Sequence, residues 1–119
     1  MKNFNLKASR KLCLFALPGL LLSLSACSSL QVGRDFDINS FIQSVKPGVT
    51  SKMEIENRLG QPMSSGISVD KNGVASEEWM YFYGTGNLPK MDKTKIKILQ
   101  IRYDQNGKIR TYNWSKSKE

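Results

Sequence analysis

The chain has 119 residues, a formal net charge of +8, two cysteines and no histidine. That length suits one small domain. The missing histidine removes the commonest general base and the commonest transition-metal ligand, which excludes most hydrolytic triads and most such metal sites.

Leu12 to Leu24 is an apolar run, preceded by Lys2, Lys7, Arg10 and Lys11 and interrupted by Pro18-Gly19. It is too short and too broken for a spanning helix, which needs roughly 20 apolar residues. It closes on Leu24-Ser25-Ala26-Cys27, with a cysteine directly after the small residues where an ordinary secretory signal has an A-x-A-like site. A basic segment, a short apolar segment and this tetrapeptide resemble a bacterial lipoprotein signal with its lipobox. The resemblance implies a signal peptide over 1–26, cut between Ala26 and Cys27, and a diacylglyceryl group on the Cys27 thiol. Ser25 and Ala26 are small enough for an extended backbone to enter a peptidase groove, and Cys27 supplies the sulfur that is alkylated. Ser28 follows. In lipoprotein sorting of the enterobacterial kind an aspartate there marks inner-membrane retention, so the serine implies delivery to the periplasmic face of a Gram-negative outer membrane.

Without the first 26 residues, fourteen basic side chains face ten acidic ones and the net charge falls to +4. So mild a balance does not suggest a nucleic-acid binder. It suits anionic lipid head groups, and an ordinary solvated surface equally well. With Cys27 lipidated, no thiol is left for a disulfide, a nucleophile or a zinc site. Ser28 to Gly33 is small and polar apart from Leu30 and Val32, so 27–35 reads as a lipidated tether and 36–119 as the folded domain.

Asp37 to Lys46 is the first predicted helix. Ile38, Phe41, Ile42 and Val45 recur at the spacing of one helix face. Asp37 suits the N-cap, Lys46 the C-terminal end of the dipole, and Pro47-Gly48 the stop. The second helix starts at Ser51 and Glu54, an S-x-x-E capping box, and carries Ile55 and Leu59 on one face, with Met53 a weaker contributor. Gly60 and Pro62 end it. Helices this short need a sheet to pack on.

Glu78 to Tyr83 is the first predicted strand of that sheet, with Trp79, Tyr81 and Tyr83 on one side and Met80 and Phe82 on the other. Thr94 to Tyr103 is the second and Lys108 to Trp114 the third, joined by a tight turn at Asp104-Gln105-Asn106-Gly107. Asp70-Lys71-Asn72-Gly73 is a similar turn, so Ser64 to Val69 forms either a short fourth strand or an excursion. Gly84 to Lys93 reads as a long exposed loop. Alternation within Thr94 to Tyr103 is imperfect, since Ile96 and Ile98 oppose Leu99, Ile101 and Tyr103. A bulge near Ile98-Leu99 or a strand covered on both faces reconciles them. The expected architecture is α+β, two N-terminal helices on a three- or four-stranded antiparallel meander.

Gly48-Val49-Thr50-Ser51-Lys52-Met53-Glu54-Ile55, followed by Leu59-Gly60-Gln61-Pro62, resembles the G-x-T-[ST]-K-x-[DE]-[IV] and LG-x-P pattern of the SmpA/OmlA (BamE-type) outer-membrane lipoprotein family. Trp79-Met80-Tyr81 and the run from Ile101 to Ile109 resemble its W-x-Y strand and closing hairpin, so the likeness spans Phe36 to Tyr112. It implies two helices on a three-stranded antiparallel sheet. It also implies an accessory, non-catalytic part in outer-membrane protein assembly, beside subunits of the β-barrel assembly machine, and association with phosphatidylglycerol. The same arrangement occurs in β-lactamase-inhibitor-like modules, so an inhibitor or sensor lipoprotein and a secretion-apparatus lipoprotein are the alternatives.

Candidate chemistry is sparse. Glu77 and Glu78 are neighbours on a strand and point to opposite faces, which prevents joint acid–base work. Ser51 and Glu54 are accounted for by capping, and no histidine activates Ser51. No catalytic residue, metal site or cofactor is expected. Lys90, Lys93, Lys95 and Lys97 form the densest basic run; they guard a sheet edge or meet anionic phospholipid. By analogy with the family, Tyr81, Tyr83 and the loop residues Asn87, Leu88 and Met91 are the candidates for contact with a partner.

Overall fold

The computed structural model describes residues 28–88 and 90–118. The expected signal peptide, its cleavage point and the lipidation site at Cys27 lie outside the described residues.

Helix α1, Ile38–Ser44, starts where the Asp37 carboxylate accepts hydrogen bonds from the backbone N–H groups of Asn39 and Ser40, at 2.9 and 3.3 Å. It ends short of the predicted Lys46. Lys46 precedes Pro47 and so avoids helical backbone, and Val45 before it already turns to an extended conformation with φ −88° and ψ 138°. Lys46 therefore serves no helix dipole. Its N–H donates to the hydroxyl of buried Thr50 at 2.9 Å. Helix α2, Lys52–Leu59, has the expected capping box, formed reciprocally by Ser51 and Glu54, and ends at Gly60 with φ +79°. Met53 stays in solvent while Ile55 is fully buried.

Five antiparallel strands make one sheet: β1 Ser29–Val32, β2 Ser64–Val69, β3 Ala75–Asn87, β4 Asp92–Tyr103 and β5 Ile109–Lys116. The order is β1-β3-β4-β5, with β2 also on β3. Thirteen residues of β3 provide room for both partners on one edge: β2 pairs along Ala75 to Met80 and β1 along Gly84 to Asn87. The sheet thus has one strand more than the largest number expected from sequence. Two expectations change together. The stretch read as a tether is β1, and the Gly84–Lys93 loop shrinks to the turn between Asn87 and Asp92. An isolated Ser-Leu-Gln-Val has no reason to be a strand, but the edge of β3 beyond β2 offers it free backbone donors and acceptors. Pairing with β1 and β4 carries β3 on through its glycines. A register shift between Thr85 and Asn87, with positive φ at Met91 and Lys93, closes the hairpin.

The core lies between the helices and one face of the sheet. Trp79 and Tyr81 from β3 and Leu99, Ile101 and Tyr103 from β4 meet Ile38, Phe41 and Val45 around α1, Ile55 of α2, and Phe36 and Ile109. Edge-on aromatic pairs tie the layers: Phe36–Tyr81 at 6.4 Å, Phe41–Tyr112 at 5.3 Å and Trp79–Tyr103 at 5.0 Å between ring centroids. Each adds on the order of 1 kcal/mol beyond the area that it buries. The irregular alternation in β4 needs no bulge at Ile98-Leu99. Pairing with β3 runs unbroken from Lys95 to Tyr103, and Ile96 and Ile98 occupy the face away from the helices.

Two tyrosines test how that core treats hydroxyls. Tyr81 donates to the Gly60 carbonyl at 2.9 Å, whereas the buried Tyr103 hydroxyl finds no hydrogen-bond partner among the described residues. Changing Tyr103→Phe is expected to leave stability unchanged or raise it by about 1 kcal/mol, because a desolvated polar atom disappears. Tyr81→Phe is expected to cost about 1 kcal/mol by leaving a carbonyl unpaired. Urea denaturation of the two variants measures both.

Candidate functional site

The structure divides the nine residues expected to meet lipid or partner. Tyr81 is buried under the helices, and burial, followed by the charge of Glu56, pushes its hydroxyl up to about 12. Tyr83 is half-buried on the same face and packs against the core, with the Lys97 ammonium 5.5 Å from its ring centroid. Lys97 itself donates to the Asp35 carboxylate at 2.8 Å and to the Phe36 carbonyl at 3.0 Å. These three do not form an exposed aromatic and basic patch. They fasten the segment after β1 to the sheet. The sequence pattern put Trp79, Tyr81 and Tyr83 on one face correctly, but only packing shows that this is the covered face.

The other six residues meet at the β3–β4 hairpin. Asn87, Leu88, Lys90, Met91, Lys93 and Lys95 are all exposed there. Ser28 is held at the same place by two hydrogen bonds: the Leu88 N–H donates to its carbonyl, and its hydroxyl donates to the Leu88 carbonyl, each at 2.8 Å. Beside the tip is a shallow groove of about 140 Å³, lined on the outer face of the sheet by Leu30, Val32, Phe82, Met91, Thr94 and Ile96, with Gly84 and Gly86 at its floor. Sequence inspection missed Leu30, Val32, Phe82, Thr94 and Ile96. The available signals were the alternation of Leu30 and Val32 inside the supposed tether and the out-of-phase Ile96 and Ile98.

Glu77 and Glu78 part to opposite faces as strand geometry requires. Glu78 accepts from Arg102 Nε at 2.6 Å. Glu77 accepts from the Lys52 ammonium and, at 2.8 Å, from Trp79 Nε1, while that ammonium also lies 5.5 and 5.8 Å from the centroids of Trp79 and Tyr103. The hydrogen bond from Lys52, then that from Trp79, holds the Glu77 carboxyl below its usual 4.5. A lowered carboxyl stabilises the fold above its unfolded value and ceases to do so as pH falls through the folded one. The contribution is therefore complete above about 4.5 and lost in more acidic solution. Glu77→Gln is expected to flatten the acid limb of a stability-against-pH curve, read from urea midpoints, and an unchanged limb would sink this assignment. The pairing clamps the start of α2 to β3.

A wider cleft of about 450 Å³ lies between the segment after β1 and the two helices, with Arg34, Asp35, Asp37 and Arg58 in its wall. Three of these four charges are engaged in holding the fold: Asp35 with Lys97, Asp37 with the α1 N-terminus, and Arg58 donating to the Ser44 hydroxyl at 2.5 Å. Among the described residues no cluster of three His, Cys, Asp or Glu side chains is placed to hold a metal ion, and no helix is long and apolar enough to cross a membrane.

The class so defined is an α+β domain of two helices on a five-stranded antiparallel sheet, with an apolar groove and three exposed lysines side by side at the β3–β4 hairpin. No family model, no curated protein and no solved structure matches the chain.

Proposed function

We propose that this chain is a lipid-anchored, non-catalytic binding protein on the periplasmic face of a Gram-negative outer membrane. It serves as an accessory subunit in the assembly of outer-membrane β-barrels or in a related envelope complex, in the manner of the SmpA/OmlA lipoproteins. The observation that carries the reading is Leu24-Ser25-Ala26-Cys27 standing at the end of an apolar run, just ahead of a folded domain. The order of the G-x-T-S-K-x-E-I, LG-x-P, W-x-Y and D-x-x-G stretches adds the family likeness, and two helices on an antiparallel sheet are compatible with it. A lipid at Cys27 concentrates the domain at a surface, so that weak contacts there become effective. The exposed residues Asn87, Leu88, Lys90, Met91, Lys93 and Lys95 supply contacts to anionic phospholipid and to protein partners.

Pull-down of the tagged, full-length protein from detergent-solubilised membranes tests the role. Co-purification of a subunit of the β-barrel assembly machine is expected. Recovery of a secretion subunit or a soluble enzyme in its place would turn the reading toward a secretion-apparatus or inhibitor-like lipoprotein. One feature favours a protein partner in either case. Strand β2 carries no charged side chain and exposes Ile67 and Val69 at 70% and 64%, without the lysines that usually guard such an edge.

A further inference from the structure

The sheet face turned away from the helices is not uniform along the strands. Toward the β4–β5 turn it is polar, with the Glu78–Arg102 ion pair, Gln100 paired with Asn113, and Arg102 with Thr111. Toward the β3–β4 hairpin it is apolar. Leu30 and Val32 lie across from Gly86 and Gly84, Ile96 pairs with Gly84, and Ile98 pairs with Phe82. Leu30, Val32, Met91 and Ile96 keep between 37% and 45% of their surface in solvent. That is a large apolar exposure for one end of so small a domain.

Two observations say what covers it. Ser28, the residue next to Cys27, is hydrogen-bonded to Leu88 at the hairpin tip, so whatever Cys27 carries is attached at the apolar end. Around that tip Lys90, Lys93 and Lys95 are exposed, and Asp92 is the one acidic residue between Asn87 and Ile98. Apolar side chains ringed by lysines, whose stems lie on apolar surface while their ammonium groups reach head groups, suit a bilayer interface. We propose that the hairpin tip and the apolar half of the outer face, centred on Leu30, Val32, Phe82, Met91 and Ile96, seat in the surface of the membrane to which Cys27 is anchored. The sheet then stands on its hairpin end, and the helices and the β4–β5 turn point toward the periplasm. This orientation rests on the lipid-anchor reading of Cys27.

The test uses the processed full-length lipoprotein, in which an engineered cysteine is the sole free thiol once Cys27 is alkylated. Met91→Cys and, independently, Val32→Cys are labelled with an environment-sensitive fluorophore. Asn106→Cys in the β4–β5 turn is the control, roughly 40 Å along β4 from position 91 and about 25 Å from the level of position 32. In phosphatidylcholine vesicles the labels at 91 and 32 are expected to shift to the blue and to be quenched several-fold less by an aqueous quencher than the label at 106. Added phosphatidylglycerol is expected to strengthen the difference. Equal quenching at all three positions in anchored protein overturns the orientation alone. Protection that requires phosphatidylglycerol assigns the contact to the lysines and overturns the apolar seating. Protection that rises with protein density at fixed lipid, with disulfide-linked dimers through position 91, assigns the face to a second copy. Intact mass without an acyl addition on Cys27 overturns the anchor reading, and the orientation with it.

Discussion

Replacing Cys27 by serine is expected to abolish acylation and to remove the protein from the outer membrane. The thiol is the nucleophile on which the proposed anchor is built, and a hydroxyl at that position does not take its place. Membrane residence follows the number of chains: a single acyl chain binds only marginally, and two make a stable anchor, each buried methylene adding about 0.8 kcal/mol. Losing a diacylglyceryl group is therefore an all-or-none change in location, far larger than any effect of the lysines at roughly 1 kcal/mol each. Intact-mass measurement and membrane fractionation of wild type and Cys27→Ser decide it. Unchanged outer-membrane residence of the variant would sink the reading. Because the serine lies ahead of β1, the domain itself is expected to keep its urea midpoint.

A large loss of stability is expected from Gly33→Ala. Gly33 ends β1 with φ +76°, and a Cβ there would lie 2.0 Å from the Phe82 carbonyl oxygen and 3.0 Å from its carbon. Both are backbone atoms of β3, held in place by the pairing of Phe82 with Ile98 of β4, and neither yields cheaply. Gly48 is the control, since it has φ +78° and open space around the would-be Cβ. Both substitutions force a side chain into left-handed backbone, at about 1 kcal/mol, but only Gly33→Ala adds overpacking. The expected losses are about 1 kcal/mol for Gly48→Ala and about 2–4 kcal/mol for Gly33→Ala. That is a large share of a typical domain stability of about 5–15 kcal/mol. Urea titration gives the magnitudes, and hydrogen exchange gives the place: Ser29 to Val32 are expected to lose protection first. Equal losses at the two glycines would show that the close approach to Phe82 contributes nothing.

If β1 lifts away from β3, Ser28 leaves Leu88 and the anchor point is no longer tied to the hairpin. On the proposed anchoring, Gly33→Ala is thus expected to change the orientation of the domain while leaving the proposed lipid in place. Cys27→Ser does the reverse, keeping the fold and removing the lipid, so the two variants separate anchoring from orientation.

Much of the local structure was legible in the residue order because it depends on near neighbours. Asp37 and Ser51 cap their helices, Ile38, Phe41 and Val45 form one buried face, and Asp104 accepts from the N–H groups of Asn106 and Lys108 in a turn closed by Gly107. The absence of histidine, the single cysteine beyond the apolar run and the lipobox order are likewise properties of the string of residues alone. What the tertiary structure decided was non-local. Ser29 to Val32 is a strand only because β3 outruns β2 and leaves an edge to pair with. The glycines of β3 extend rather than loop because β1 and β4 hold them on both sides. Tyr81, Tyr83 and Lys97 belong to the covered side of the sheet, and Leu30, Val32 and Ile96 to the open one, because the helices pack on one face and not the other. Period-two alternation divides the side chains into two sets, but it carries no sign, and only packing against α1 and α2 says which set is inside.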